Sequence, residues 1–270
     1  MNYRHVFHAG NFADCVKHAL LIPLLRAMQR KEKPFLALDT HAGIGSYDLT
    51  SGPAEKTGEW RQGIARVLDA APAELADYIM LVERLGLYPG SPAIISALLR
   101  PHDRLIACEL HPEDAAILRE QFAGTLGMAV HERDGYEAMR AFLPPPEKRA
   151  LILIDPPFER PDEFTTLTKT LVSAYEKFKS GIYVAWYPIK HRAPARDFME
   201  SLKLTKIRDV INVEFLLRPA QDPTRLNGCG LLVINPPFGF AEDAVPILNS
   251  LEAIFGEPGH SSGIERLIDE

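Results

Sequence analysis

What this chain has little of narrows it before any motif is read. Its three cysteines, Cys15, Cys108 and Cys229, lie far apart with no Cys-x-x-Cys pair and no short Cys/His spacing. That excludes a disulfide framework and gives no zinc site. No apolar run reaches the roughly 20 residues a membrane span needs, and the longest, such as Ala150 to Ile154 and Gly230 to Ile234, are the length of strands. Residues 1 to 20 carry Arg4, Asp14 and Lys17 and lack the apolar core of a secretory leader, so a soluble, cytoplasmic protein is expected. Positive charge is in deficit as well. With 30 Lys and Arg against 36 Asp and Glu the net charge is −6, which excludes a protein that coats nucleic acid through bulk charge. Local basic surfaces remain open at Arg61 and Arg66, at Lys190-His191-Arg192 with Arg196, and at Arg218 with Arg225. Each more often reads as an ordinary solvated face, since most exposed Lys and Arg serve no partner.

What is present is enough apolar material, 46% of 270 residues, for one large domain spanning 1–270, with room for a modest insertion. Strand-like and helix-like segments alternate, which predicts an α/β fold with a mostly parallel sheet. Seven strands are expected: 35–39, 104–109, 128–131, 150–155, 181–186, 206–217 and 230–235. Helical periodicity covers 13–29, 112–122, 136–142, 163–179 and 193–201. Between 47 and about 100 the alternation lapses into helices alone (58–69, 73–85, 93–99), so 47–90 is expected to be a small helical insertion after the first strand. The last two strands are too close for a crossover and must run antiparallel. Five parallel strands closed by an antiparallel hairpin is the Rossmann-like sheet of class I methyltransferases.

In such a sheet ligands lie beyond the carboxyl ends of the parallel strands, so the residues ending each strand carry the chemistry. The first ends in Asp39-Thr40-His41-Ala42-Gly43-Ile44-Gly45, a glycine turn without the third glycine of a dinucleotide fingerprint. The second ends in Glu109, placed to accept hydrogen bonds from ribose hydroxyls. The third ends near Asp134-Gly135, where a carboxylate can accept from an adenine amino group or serve a helix N-terminus. The fourth ends in Asp155-Pro156-Pro157-Phe158. A nucleobase amine is a poor nucleophile because its lone pair is delocalised into the ring. Asp155 and the Pro156 carbonyl can accept its hydrogens out of the base plane, and Phe158 can stack on a base swung out of its helix. The prolines fix φ and donate no N–H. A near-copy, Asn235-Pro236-Pro237-Phe238, ends an antiparallel strand and is expected to be structural.

Tyr3-Arg4-His5, Phe7-His8-Ala9-Gly10-Asn11, Ala13-Asp14, Lys17-His18, Leu38 to Gly43, Tyr88-Pro89-Gly90-Ser91-Pro92, Glu109-Leu110-His111-Pro112 and Ile154 to Pro157 closely resemble the RlmJ family, bacterial enzymes that methylate N6 of one adenine in 23S ribosomal RNA. The resemblance runs from the first residues to at least Pro237. It implies that His18, His41, Ser91, Glu109, Asp134 and Gly135, with Asp155, line an S-adenosyl-L-methionine site, that Asp155 is the catalytic acceptor, and that Tyr3, Pro156 and Phe158 meet the RNA. Phe158 stands where the family carries tyrosine, so stacking is kept and a hydroxyl hydrogen bond is not. No metal is expected, and a monomer acting on RNA free of ribosomal proteins is. Two alternatives are methylation of guanine N2 in rRNA or of DNA adenine, and a nucleoside-binding module without catalysis.

Overall fold

The computed structural model describes residues 4–270. In chain order its strands are β1 (Leu36–Asp39), β2 (Ser46–Tyr47), β3 (Tyr88–Pro89), β4 (Arg104–Glu109), β5 (Met128–Glu132), β6 (Ala150–Ile154), β7 (Ile182–Ile189), β8 (Val210–Leu216), β9 (Gly228–Ile234) and β10 (Ser261–Ile268). The helices are α1 (Phe12–Gln29), α2 (Gly52–Thr57), α3 (Glu59–Gln62), α4 (Ile64–Ala70), α5 (Ala76–Leu85), α6 (Ser91–Leu98), α7 (Pro112–Gln121), α8 (Gly135–Phe142), α9 (Glu163–Lys177), α10 (Arg192–Lys203) and α11 (Phe240–Phe255).

Eight strands make one sheet in the order β10-β8-β9-β7-β6-β1-β4-β5. From β5 to β7 all neighbours are parallel, whereas β9 opposes both β7 and β8, and β10 opposes β8. The central parallel strands are buried on both faces, which is why β6 reads as an unbroken apolar run. Leu151 and Leu153 pack with α1, α6 and α11, while Ile152 and Ile154 pack with α8, α9 and α10 on the other side. The chain order reverses at β1, whose neighbours are β4 and β6. A crevice therefore opens beyond the carboxyl end of Asp39.

All seven expected strands are found, with shifted ends. The segment from Lys206 stays out of the sheet until Val210, because Asp209 takes a left-handed φ of 52° and its N–H donates to Asp269 O. Outside 47–90 two elements were not anticipated: α11, interrupted in sequence by Pro246, and β10, whose polar, half-exposed residues lack a strand's usual signal. In and beside that segment β2, α2 and β3 were not anticipated either. The 47–90 segment differs from expectation in detail. Its ends pair as a two-residue antiparallel ladder, Ser46↔Pro89 and Tyr47↔Tyr88. The helix expected over 58–69 is split into α3 and α4 at Gly63, which lies so close to the N-terminal segment that a Cβ there would sit 1.9 Å from Gly10 O.

The near-copy motif behaves as the antiparallel direction of β9 dictates. Asn235 follows β9 at the end of the sheet opposite the crevice. Its Nδ2 donates to Lys179 O (2.8 Å) and Gly181 O (2.7 Å), its φ of 54° suits asparagine, and Phe238 is 95% exposed. Asn235→Ala removes both bonds and leaves a poor residue for that φ, so it should destabilise the fold by about 1–3 kcal/mol in denaturant unfolding. A loss within experimental error would mean that this cap holds nothing.

Candidate active site

Beyond the carboxyl ends of β1, β4, β5, β6 and β7 lies one cleft of about 1340 Å³. That exceeds the roughly 300–1,000 Å³ usual for one small ligand. His18, His41, Ser91, Glu109, Asp134, Gly135, Asp155, Pro156 and Phe158 all line it; Tyr3 lies outside the described residues.

The β1–β4–β5 side is a polar cradle. Glu109, ending β4, accepts from Gly43 N–H through Oε2 (2.9 Å) and from His111 N–H through Oε1 (2.8 Å). A carboxylate has about four acceptor sites, so acceptor capacity remains for a ligand. Burial lifts its carboxyl above the usual value. Asp134 caps α8, Oδ1 accepting from Tyr136 N–H (2.9 Å) and Glu137 N–H (3.0 Å), so the capping role and a place in the cleft coexist. Gly135 admits no side chain, since a Cβ would come within 2.3 Å of Thr40 O and 2.7 Å of His41 Cε1. The Thr40 hydroxyl donates to Leu153 O (3.0 Å) and so accepts from His41 Nδ1 (2.7 Å). This network puts the ring proton on Nδ1 and leaves Nε2 an acceptor. Burial holds His41 down at about 4.

Beneath the cradle, the strand end Asp39 is joined by groups from α1, α5 and α6 that strand ends do not reveal. Ser91 Oγ donates to Oδ2 of the fully buried Asp39 (2.6 Å). Burial, with Asp155 nearby, pushes Asp39 up to about 7. Its Oδ1 has no partner among the described residues, nor does Nε2 of His18. His18 Nδ1 lies 3.0 Å from Tyr88 Oη, which lies 3.0 Å from Tyr78 Oη, and burial holds this imidazole down at about 3.

Asp155 follows β6 at the centre of the cleft. Lys17 Nζ donates to its Oδ2 (2.5 Å) and lies 2.9 Å from Asp14 Oδ1. Burial opposes the Lys17 charge, yet Asp14 and Asp155 prevail and hold the ammonium well above its usual value. Asp14 also takes Gly10 N–H (3.0 Å) and lies 2.8 Å from His5 Nε2. The signal for this cluster was in α1: Asp14, Lys17 and His18, spaced i, i+3 and i+4 in a stretch otherwise apolar from Ala13 to Leu25, share one face. Across Asp155, Phe158 meets Phe164 (centroids 4.8 Å apart) and Trp186 (6.1 Å), making an aromatic wall in which Trp186 was also unforeseen.

A sheet of this order, with acids ending β4 and β5 and Asp-Pro-Pro-Phe ending β6, defines a Rossmann-like, class I methyltransferase. Residues 32–265 match the family model described as Ribosomal RNA large subunit methyltransferase D, RlmJ, and the chain belongs to that family. It is 42% identical over 246 residues to Ribosomal RNA large subunit methyltransferase J of Escherichia coli, and 39% identical over 247 residues to the protein of the same name from Haemophilus influenzae. Each alignment covers 88% of both chains. The crystal structure of a Legionella pneumophila protein superposes with a TM-score of 0.89 at 35% identity, covering 96% of this chain and 98% of that one.

The two depressed imidazoles make stability depend on pH. The unfolded chain protonates them below about 6.5 while the fold keeps them neutral, so their contribution is complete above about 6.5 and is lost as pH falls towards 4 and 3. Asp39, displaced upward to about 7, works in the opposite sense, because the fold holds its proton longer than the unfolded chain does. His18→Gln and His41→Gln should therefore each lose less melting temperature than the parent between about pH 7.5 and about pH 5.5. Slopes identical to the parent's in both variants would contradict buried neutral rings.

Proposed function

We propose that this chain transfers a methyl group from S-adenosyl-L-methionine to N6 of an adenine in 23S ribosomal RNA. The observation that carries the reading is the position of Asp155, on the midline of the cleft between the polar cradle and the Phe158–Trp186 wall. Family membership supplies the substrate class.

The residues present fit the cofactor. Glu109 keeps acceptor capacity for ribose hydroxyls, Asp134 keeps Oδ2 for an amino group, and the bare Gly135 backbone leaves the space a Cβ would fill. His18, with its buried Nε2 unpartnered, Ser91 and His41 complete the lining. When bound, the cofactor supplies an electrophilic methyl on a sulfonium. Asp155 and the Pro156 carbonyl accept the amine hydrogens, drawing the lone pair out of conjugation and towards that methyl. The carboxylate stabilises the amine as it becomes cationic, and Asp155 Oδ1, the oxygen that Lys17 leaves free, accepts the proton that the methylated amine then releases. Lys17 fixes the carboxylate through Oδ2, leaving Oδ1 for the amine. Phe158 stacks on the extruded base, and Tyr3 completes the RNA contact.

In this reading the protein works as a cytoplasmic monomer, needs no metal and prefers RNA stripped of ribosomal proteins. Residues 47–90 form a small helical insertion within the single domain. An acidic chain has little charge with which to compete for an already neutralised ribosomal surface.

Single-turnover assays on a 23S RNA fragment test the central assignment. Asp155→Ala should lower the rate by on the order of 10² or more with S-adenosylhomocysteine affinity nearly intact, as for an acceptor acting in the transition state. Asp155→Asn should fall between, and Asn235→Ala should stay within about threefold, a barrier change under ~1 kcal/mol. Equal damage from Asn235→Ala in a folded protein would overturn the strand-direction argument. Nucleoside digestion of the product should yield N6-methyladenosine; N2-methylguanosine would overturn the base assignment. In a separate comparison, protein-free RNA should be methylated faster than assembled ribosomes, and EDTA should have no effect. Equal rates on ribosomes would refute the stripped-RNA preference, and inactivation by EDTA would reveal a metal.

A further inference from the structure

The cleft extends well past Asp155 on the side away from the cradle, and β7 builds that extension. Pairing of β7 with β6 stops at Ile154↔Ala185, while β7 continues, held only by β9, from Trp186↔Leu231 to Ile189↔Gly228. Residues two apart share a strand face. Tyr187 and Ile189 point into the core, whereas Trp186, Pro188 and Lys190 line the cleft. At ~3.3 Å per residue the wall runs about 13 Å from the aromatic pocket to the exposed Lys190.

The β8–β9 loop brings Arg218 and Arg225 to the same rim, and α4 brings Arg66. Arg218 is committed, its guanidinium donating to both oxygens of Glu257 (2.6 and 2.5 Å). Its field, with those of Arg225 and Arg66, holds the Glu257 carboxyl below its usual value. Lys190, Arg225 and Arg66 themselves make no ion pair among the described residues; Asp222, whose carboxyl feels the Arg225 charge, is already bound by Thr224 N–H and Oγ–H. Arg66 lies over the Phe255 ring at 5.8 Å. The loop is preset by the fully buried Asn227, whose Nδ2 donates to Lys190 O (2.8 Å) and to Asp222 O (2.7 Å). One side chain thus ties the end of β7 to the loop carrying Arg225. Acids line the cleft as well: Glu109, Asp114 and Asp134 on the cradle side, Glu163 beside Tyr136, and Glu59, Glu159 and Glu257 elsewhere along it, Glu59 held by His8 and Asn11 and Glu257 by Arg218.

We infer that Lys190, Arg225 and Arg66 grip the phosphates flanking the target adenine, so that the RNA strand leaves the active site along the β7 overhang and not across the cradle. This rests on the proposed RNA methyltransferase activity. Cations unpaired in the protein and ranged along a wall that starts at the stacking aromatics are what a bent single strand needs once its base is extruded. The anchoring by Asn227 lowers the ordering entropy of the grip.

The test uses the full-length protein and a protein-free 23S RNA fragment. Lys190→Ala, Arg225→Ala and Arg66→Ala should each raise KM for RNA severalfold with kcat and S-adenosylhomocysteine affinity unchanged. Together they should flatten the plot of log Kd for RNA against log salt by about 0.7 to 0.9 for each phosphate no longer neutralised. Arg61→Ala and Arg196→Ala, exposed cations outside the cleft, should leave both quantities at the parent's values. If the parent methylates the fragment and the triple variant keeps its KM and salt slope, the grip assignment is wrong while the activity stands. A fall in kcat with KM unchanged would also overturn it, by placing these residues in the chemistry. A parent that methylates no RNA would overturn the functional reading instead.

Discussion

The site is organised around a nearly buried cation at the floor of the cleft. Lys17 is 5% exposed and held between Asp14 and Asp155, so α1 and the end of β6 cannot separate without stranding a charge in the interior. Removing one partner of such a group costs about 3–5 kcal/mol, far more than the pair contributes over an apolar substitute. An arrangement so expensive to break and so modest in net stability is kept for position. Asp155 is denied the freedom to swing, and its second oxygen is left facing the cleft.

Sheet direction then decides which of two nearly identical tetrapeptides faces the crevice. Asp155-Pro156-Pro157-Phe158 and Asn235-Pro236-Pro237-Phe238 both end buried strands and both contain a residue with positive φ, Phe158 and Asn235 respectively. Because β6 and β9 run oppositely, one opens onto the crevice and the other ties down the far end of the sheet. The side chains follow: Asp155 is joined to a buried lysine, while Asn235 spends both amide hydrogens on backbone carbonyls. Local sequence alone makes the two look alike.

This is also where the sequence proved legible and where it did not. Strand ends could be read where a parallel strand is an apolar run that stops at a polar residue, as at Glu109 and Asp155; β5 is short and half-exposed, and Asp134 was legible only from its place after it and before a helix. Asp39 could be seen in the same way, but not its shift, because burial and the Ser91 hydroxyl come from α6, far along the chain. β10 was hidden since an edge strand open to solvent needs no apolar run. The break at Gly63 was hidden because its cause, Gly10 O, lies more than fifty residues away. Trp186 gave no signal of its own, as its place in the cleft depends on β7 outrunning β6 by a register that only pairing reveals.

Charge distribution completes the account of how an acidic chain can serve a polyanion. At net −6 the molecule as a whole gains nothing from long-range attraction to RNA, and the acids of the cradle would repel a phosphate brought there. An uncharged base suffers little from those acids, and a cofactor carrying a sulfonium and an ammonium is favoured by them. The cleft is therefore partly sorted by charge: on the cradle side acids where a cationic ligand fits, beside Asp155 aromatics where a neutral base stacks, and beyond Trp186 cations without an ion pair, with Glu257 on that rim already held by Arg218. Since Debye screening at physiological salt acts over about 8 Å, a wall of about 13 Å suffices to keep the cradle's negative field from cancelling the attraction at Lys190. Short-range sorting of this kind favours selective capture of one exposed strand over indiscriminate adhesion to folded RNA, because only a strand with an extruded base brings phosphate and base to their matching surfaces together.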